Sequence, residues 1–499
     1  MIAKPKSVFP IIVFDASDPW EALLTLAPSH LDKRGLARLR SVLDPKCQCV
    51  IVERHYIDKD YRDTFSHFHS KRFNTPDSRC VRLHFFSAPV TEDSVAAGDE
   101  ASLRAYLGYS VIRPTKPNCV GRTLLTHTLR LSREAHLCMC NEAVNLFGAR
   151  LNVEGFPFIS QDADATVCAQ SALWMLMRYY SNRYPTYSEI LPFQITNLAN
   201  RHAVGSRVYP SSGLYSWQLA EALRLQKFSP IVYSRNCFGA KFDHLLYTYI
   251  ESGLPLLVTV PGHVVAAYGH LSDYTSPPPS QLMAFIRRAC RIPEPYVYSS
   301  HFNRAFVISD DNCFPYQMLR QSAPNPPSDS KYPWSEIEEF IVPLPEKVFL
   351  TAELVQEAIE RILNDPATGI QKSPVLVTKK LMLRLFLTSA QSFKRTLHKR
   401  GMGNTLVEQM YRVLPMPHFI WVCEIADYDE YAQHRKVLGE VIWDATRNAR
   451  EPNGWIACHF PEALVIDGGS ALNQSQKLKT YPLSTHNSYS LFVSNLHSL

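Results

Sequence analysis

Four residues in the middle of the chain have side chains whose types and order suit nucleophilic catalysis by a thiol. Such catalysis needs a thiolate, a base that forms it, a group that orients the base, and donors for an oxyanion. The candidates are Cys168 as nucleophile, His263 as base, Asp310 as orienting carboxylate and Gln161 as oxyanion donor. Each assignment depends on the secondary structure element that we expect to carry the residue.

Cys168 opens the segment CAQSALWMLMRYY, in which apolar residues recur at helical spacing. This spacing predicts a helix from about 168 to 181, with the cysteine at its N-terminus. Unpaired N–H groups and the positive end of the helix dipole favour a thiolate at this position. Gln161 precedes the helix on a polar loop, from which its amide can donate to an oxyanion together with the backbone N–H of Cys168. For the cysteine alone, packing as a small apolar residue is the alternative.

His263 stands at the start of a predicted strand, directly after a predicted turn. The segments LPLLVTV (254–260) and HVVAAYG (263–269) are both apolar and rich in β-branched residues, which is typical of strands, and Pro261–Gly262 separates them. A neutral imidazole in this position can accept the thiol proton near physiological pH. A histidine at a strand end that hydrogen-bonds to the turn is the structural alternative.

Asp310 follows the apolar segment RAFVIS (304–309), which we expect to be a strand paired with the one that begins at His263. A carboxylate there can accept the second imidazole N–H and fix the tautomer. Because side chains alternate along a strand, we expect the adjacent Asp311 to face solvent or to cap the turn. A pair of turn aspartates without catalytic role is the alternative.

In this order, the four residues and their elements resemble the papain-like cysteine peptidase superfamily. The likeness is greatest to its bacteriocin-processing branch, the double-glycine leader peptidases of bacteria and their standalone relatives. It covers residues 155–320, roughly a third of the chain. The resemblance implies an α+β fold, with a papain-like core of a helical lobe against an antiparallel sheet and the active site between them.

The resemblance also implies a function, the hydrolysis of a peptide or isopeptide bond in a protein or peptide substrate. Gln161 would then serve the oxyanion, Cys168 the nucleophilic attack, His263 the proton transfers and Asp310 the orientation of the imidazole. Neither a cofactor nor a metal is expected in such a site.

Three features depart from the family pattern. Ala169 follows the cysteine where the branch usually has glycine, and Gln161 lies seven positions before Cys168, one more than expected. The cysteine and His263 are 95 positions apart, fewer than the roughly 130–150 of papain itself. Ala169 and the spacing of Gln161 favour one alternative, a pseudopeptidase that binds a partner without cutting it. Two further alternatives are an acyltransferase that uses the same triad and a nucleic-acid-binding regulator.

Proline-rich stretches suggest how the chain is divided. SDYTSPPPS (272–280) and SAPNPPSDSKYP (322–333) cannot form regular helix or central strand, because consecutive prolines lack the N–H donor and fix φ. We expect an N-terminal α+β region at 1–150, the peptidase module at 151–321, and a separate C-terminal α+β region at 334–499 without catalytic groups.

The composition excludes several classes of protein. Hydrophobic residues make up 46% of the 499 residues and charged residues 20%, which indicates a globular chain. The net charge of +6 is small for this length and disfavours a dedicated nucleic-acid binder, although KRTLHKR (394–400) and RRACR (287–291) are basic. We find neither a membrane span nor a signal peptide, and expect a cytoplasmic protein without a membrane partner and with reduced cysteines.

Two groups of residues have weaker metal-binding patterns. The pairs Cys47 with Cys49 and Cys138 with Cys140 together offer four thiolates, but structural zinc sites normally space their paired cysteines by two to four residues. A second group consists of histidines near the N-terminus, for which a half-buried strand or loop is the favoured interpretation. These are His55, His67, His69 and His84.

Overall fold

The structure is a computed structural model, and it describes most of the chain. The described residues are 9–14, 19–44, 46–116, 118–131, 135–162, 167–201, 213–275, 297–321, 330–366, 369–402, 405–448, 454–467, 478–484 and 488–498. Within them the protein is mixed α+β, with three large sheets whose strands pair antiparallel except at one short parallel contact. The predicted α+β class is therefore confirmed at this level. No helix among these residues has the length and apolar character needed to cross a bilayer.

The N-terminal part of the chain consists of short strands and helices. They are β1 (Ile11–Val13), α1 (Pro19–Leu26), α2 (Lys33–Leu43), β2 (Cys49–Tyr56), α3 (Lys59–His67), β3 (Cys80–Phe86), α4 (Glu92–Ala96), α5 (Glu100–Arg104), β4 (Tyr106–Ile112), β5 (Val120–Leu125), β6 (Ala135–Leu137), β7 (Cys140–Leu146) and β8 (Ala149–Gly155). Strands β1 to β5 form a five-stranded sheet in chain order, and β7 and β8 form a hairpin. Asp32 and Asp58 start α2 and α3 because their carboxylates accept backbone N–H groups of the first turn.

The central part of the chain carries all four candidate residues. Its elements are α6 (Cys168–Arg183), α7 (Pro192–Ala199), α8 (Ser216–Arg224), β9 (Phe228–Ser234), α9 (Arg235–Phe238), α10 (Phe242–Glu251), β10 (Leu256–Val260), β11 (His263–Ser272), β12 (Val297–Tyr298), β13 (Asn303–Ser309), β14 (Gln317–Arg320) and β15 (Glu339–Pro345). The central sheet has the order β14-β13-β11-β10-β15-β9, and β6 pairs with the second half of β11. Helix α6 packs against β11.

The register of the central sheet brings the ends of two strands together. Ala266 of β11 pairs with Ser309, the last residue of β13. The first residues of β11 therefore extend past the end of β13. Consequently His263, the first residue of β11, and Asp310, the residue after β13, are neighbours at the end of the sheet where β11 begins and β13 finishes.

The C-terminal part of the chain forms a third sheet. Its elements are α11 (Ala352–Asn364), β16 (Leu381–Ser389), α12 (Ala390–Arg400), α13 (Thr405–Val413), β17 (Phe419–Asp427), α14 (Tyr428–His434), β18 (Lys436–Val437), β19 (Gly439–Asp444), β20 (Trp455–Phe460), β21 (Ala463–Ile466), β22 (Lys479–Pro482), β23 (Tyr489–Ser490) and β24 (His497–Ser498). The sheet order is β12-β16-β17-β19-β20-β21-β22, in which β12 and β16 are the parallel pair.

The expected boundary at 322–333 does not separate two folding units. Strand β15, which lies beyond it, is inserted between β10 and β9 in the central sheet, and β24 at the end of the chain pairs with β6. One apolar core also continues from the central sheet into β16 and β17. Prolines interrupt regular structure locally, but they do not prevent the chain from returning to the same sheet. Residues 276–280 and 322–329 of the two proline-rich stretches lie outside the described residues.

A buried ionic network joins the central and C-terminal sheets. The Arg384 guanidinium in β16 binds Glu251 at the end of α10 (2.5 Å) and Glu424 in β17 (2.7 Å). Arg400 binds the same Glu424 and Glu440, both at 2.8 Å. These side chains are nearly inaccessible to solvent, so each charge is compensated by its partners rather than by water. Glu424 thus has the structural role that its position in an apolar strand predicts.

Candidate functional site

Cys168 is the first residue of α6, the position at which the sequence predicts it. The end of the helix is held by Gln170, whose side-chain oxygen accepts the N–H of Val167 (2.8 Å) while its amide donates to Thr196 of α7 (3.0 Å). The thiol is partly accessible, whereas most residues of the helix are buried. The nucleophile candidate is therefore fixed at a helix N-terminus with a path to solvent.

His263 is placed by the turn between β10 and β11. Gly262 has φ 68°, a left-handed conformation that glycine adopts at little cost, and Val260 pairs with His263 across the turn. The side chain is 6% exposed, and its ring lies beside that of Tyr332 with 6.2 Å between centroids. The imidazole is thus held in one orientation at the edge of the sheet.

The imidazole of His263 lies between a carboxylate and the thiol. Its Nε2 is 2.8 Å from Oδ1 of Asp310, which also accepts the backbone N–H of Asn312 (2.9 Å). The side chain of Cys168 is close enough to the ring to raise the pKa of His263. Because Nε2 faces the carboxylate, Nδ1 is the ring nitrogen that remains for the thiol. The structure therefore brings Cys168, His263 and Asp310 together in the order that a nucleophile, a base and an orienting acid require.

The charges of these groups support one another. Burial alone would lower the pKa of His263, but the hydrogen bond to Asp310, the neighbouring side chain of Cys168 and the charges of Asp310 and Asp311 raise it to about 10. Burial would raise the pKa of Asp310, yet the hydrogen bond and charge of His263 hold it below its ordinary value. The environment therefore favours an imidazolium that is paired with a carboxylate.

Asp311 does not face solvent, and the prediction for this residue is wrong. Its side chain is 2% exposed, and its Oδ1 lies 3.3 Å from Nε2 of His263. Alternation fails here because β13 ends at Ser309 and the two aspartates belong to the following turn. Burial and the adjacent charge of Asp310 raise the pKa of Asp311 to about 7, against the influence of His263 and of nearby backbone N–H groups.

Gln161 is close to the triad through a residue that sequence reasoning missed. Its Nε2 donates to Oδ1 of Asn312 (2.6 Å), and Nδ2 of the asparagine lies 3.5 Å from Nε2 of His263. The only signal for Asn312 is its place directly after two aspartates, which by itself is typical of a turn. The side chain of Asn312 therefore links Gln161, the expected oxyanion donor, to the imidazole of His263.

The other candidate residues lie apart from this site. The four cysteines of the two C-x-C pairs are buried, and within the described ranges they do not come close enough together to share one ion. Burial raises the pKa of Cys47, Cys138 and Cys140 to about 12. These thiols are therefore protonated core residues.

Two of the histidines near the N-terminus, and the last residue of one basic run, have local partners. His84 is buried against Tyr106, and His67 stacks on Phe193. Arg400, at the end of the run 394–400, belongs to the buried ionic network. The run 287–291 lies outside the described residues.

Comparisons with known proteins found no match. No family model, curated protein or solved structure matches the chain. The chemistry of the site must therefore be inferred from its own geometry.

Proposed function

We propose that the protein is a cysteine-dependent hydrolase that cleaves a peptide or isopeptide bond with Cys168, His263 and Asp310. The observation that carries this proposal is the position of the imidazole, whose Nε2 lies 2.8 Å from the carboxylate of Asp310 and whose pKa is raised by the neighbouring thiol of Cys168. Two further features support it. The thiol is at a helix N-terminus, and it is more accessible than most of the cysteines described.

The proton movements follow from the geometry. His263 accepts the proton of Cys168 at Nδ1, and Asp310 stabilises the resulting imidazolium through Nε2. The thiolate attacks the carbonyl carbon of the substrate, and the imidazolium gives its proton to the leaving amine. A water molecule activated by the same imidazole then hydrolyses the thioester, which returns the thiol.

We assign the stabilisation of the oxyanion to the side chain of Gln161. Its hydrogen bond to Asn312 uses one of the two N–H groups of the amide and orients the other. The backbone N–H of Cys168, at the start of α6, supplies the second donor. An oxyanion between these two donors would gain stabilisation only as the tetrahedral intermediate forms.

The substrate class and compartment belong to the same proposal. A partly exposed thiol at a helix N-terminus can be reached by an extended peptide segment, and the family resemblance implies a protein or peptide substrate. The eleven cysteines of the described residues are all free thiols, which fits a reducing compartment and supports a cytoplasmic location.

Mapping of cleavage products tests the proposed function. The wild-type protein is incubated with a library of peptides that includes isopeptide-linked members, and new termini are identified by mass spectrometry. We expect cleavage by the wild-type protein and none by Cys168→Ala. A pseudopeptidase would bind members of the library without cutting them, and transfer of the acyl group to added amines in preference to water would instead indicate an acyltransferase.

A further inference from the structure

Two buried carboxylates lie beside the imidazole of His263, although one is enough to orient the ring. Asp310 and Asp311 are 0% and 2% exposed, and both carboxylates approach Nε2 of His263. Within the part of the chain that the structure describes, Oδ2 of Asp310 and both oxygens of Asp311 have no hydrogen-bond partner of acceptable geometry. Buried carboxylate oxygens without partners are costly, so their persistence calls for a further ligand.

The three side chains have the arrangement of a metal site. One ligand atom from each lies within 4.8 Å of the other two. The distances from Nε2 to the nearest carboxylate oxygens are 2.8 and 3.3 Å. Ligands of a tetrahedral zinc ion, at about 2.0–2.1 Å from the metal, are separated by about 3.3 Å. A small outward movement of Asp310 would therefore admit the ion.

We propose that His263, Asp310 and Asp311 form a binding site for one divalent transition-metal ion, best matched by Zn²⁺, and that this ion and the catalytic triad exclude each other. The donor set of one imidazole and two carboxylates suits zinc, whereas Mg²⁺ and Ca²⁺ prefer oxygen ligands alone. Two carboxylates and a neutral imidazole compensate the charge of the ion completely. Cys168 does not belong to this group of ligand atoms, so water or a second carboxylate oxygen fills the fourth position.

Mutual exclusion follows from the shared use of Nε2, and this part of the inference rests on the proposed function. In the triad, Nε2–H donates to Asp310. An ion on Nε2 displaces that proton, which is released to solvent, and leaves Nδ1 as the only nitrogen that can hold one. The ring can then no longer alternate between one and two protons, as transfer from Cys168 and to a leaving amine requires. Zinc would thus act as a reversible inhibitor.

Zinc titration of untagged, chelator-treated protein tests the site. Calorimetry should give one Zn²⁺ per chain, with similar affinity in the wild-type protein and in Cys168→Ala. We expect at least a tenfold weaker affinity in Asp311→Asn and loss of detectable binding in His263→Ala. Asp429→Asn, which changes an exposed carboxylate near Lys380, serves as the matched control and should bind as the wild type does. Circular dichroism verifies that each variant is folded.

Two results would overturn the inference. Unchanged affinity in Asp311→Asn would remove that carboxylate from the site, and loss of binding in Cys168→Ala would show that the thiol holds the ion. The zinc measurement does not depend on catalysis, because Cys168→Ala is included. If the wild-type protein binds zinc as expected but cleaves no peptide, the proposed function fails while the metal site stands.

Discussion

Asp310 and Asp311 are adjacent in sequence, yet their carboxylates lie in different electrostatic environments. Asp310 has its pKa lowered because His263 and the N–H of Asn312 stabilise its charge, whereas burial raises the pKa of Asp311. Asp310 is thus suited to balance an imidazolium in the metal-free site, whereas the ionised form of Asp311 is less favourable there. The assignment of the orienting role to Asp310 depends on this difference.

Substitution of Asp310 tests its role at the scale of one side chain. Asp310→Asn retains the shape of the side chain but presents a neutral amide to the imidazole. This amide neither fixes the tautomer of the ring nor balances the charge of an imidazolium. We expect the alkylation rate of Cys168 to fall at least about tenfold. Iodoacetamide labelling followed by peptide mass spectrometry measures this, with Asp429→Asn as control. A rate within twofold of the wild type would exclude Asp310 as the orienting group.

At the scale of secondary structure elements, the two strand ends and one helix N-terminus position the chemistry. Apolar periodicity and the Pro261–Gly262 turn predict β10, β11 and the start of α6 from sequence, since these signals are local. The burial of Asp311 and the bridge made by Asn312 could not be predicted, because they depend on how a turn after β13 folds against residues about fifty positions away.

The cap of α6 offers a prediction at this scale. Gln170→Ala removes both the acceptor for Val167 N–H and the donor to Thr196, and should lower the free energy of unfolding by about 1 kcal/mol. We also expect slower alkylation of Cys168, because the first turn that holds the thiol would fray. Chemical denaturation and labelling measure the two effects.

A matched control exists on the next helix. Gln194 caps α7 in the same way, by accepting the N–H of Leu191 (3.1 Å). Gln194→Ala should lower stability by less, because this side chain is exposed and its capping bond is the one it loses, and should leave the labelling rate of Cys168 unchanged. Equal slowing in both variants would mean that general loss of stability, and not the position of the thiol, controls reactivity.

At the scale of the whole molecule, the C-terminal part of the chain completes the sheet that carries the site. Strand β15 pairs with both β10 and β9, so its removal would leave β10 without a partner on one side and separate β9 from the sheet. The sequence of β15 carries no information about which sheet the strand joins. Pairing between distant segments is decided by the whole fold, which explains why the expected boundary was wrong.

Truncation tests this dependence. A fragment of residues 1–330 lacks β15, and we expect it to be unfolded or aggregated, with a loss of the near-ultraviolet circular dichroism signal of the full chain. A second fragment, residues 1–350, retains β15 but lacks the C-terminal sheet. A folded 1–330 fragment with an activated Cys168 would contradict the role of β15 and restore the boundary at 322–333.

The Glu251–Arg384 pair predicts a dependence of stability on pH. Burial alone would raise the pKa of Glu251, but Arg384 and His270 lower it well below its ordinary value. A carboxyl whose pKa is depressed on folding stabilises the protein above its unfolded pKa of about 4.3, and this stability is lost as the pH falls below that value. Glu251→Gln should therefore reduce the slope of unfolding free energy against pH below about 4.3.

The same variant should also cost stability at neutral pH. Removal of one partner of a buried ion pair leaves Arg384 incompletely compensated, and typically costs about 3–5 kcal/mol. Glu357→Gln, in an exposed pair with Lys241, should change stability by less than about 0.5 kcal/mol and leave the slope intact. Urea denaturation between pH 3 and 7 measures both quantities, and parallel curves for wild type and Glu251→Gln would refute the assignment.

The central claim is that His263 activates the thiol of Cys168, and competitive alkylation measures this most directly. Cys237 is exposed, lies on the short helix α9 and is not part of the triad, so it serves as an internal reference in the same molecule. In metal-free wild-type protein at neutral pH, we expect iodoacetamide to label Cys168 at least about tenfold faster than Cys237, and His263→Ala to remove this advantage. Equal labelling of the two cysteines in the wild type, unchanged by His263→Ala, would contradict the account.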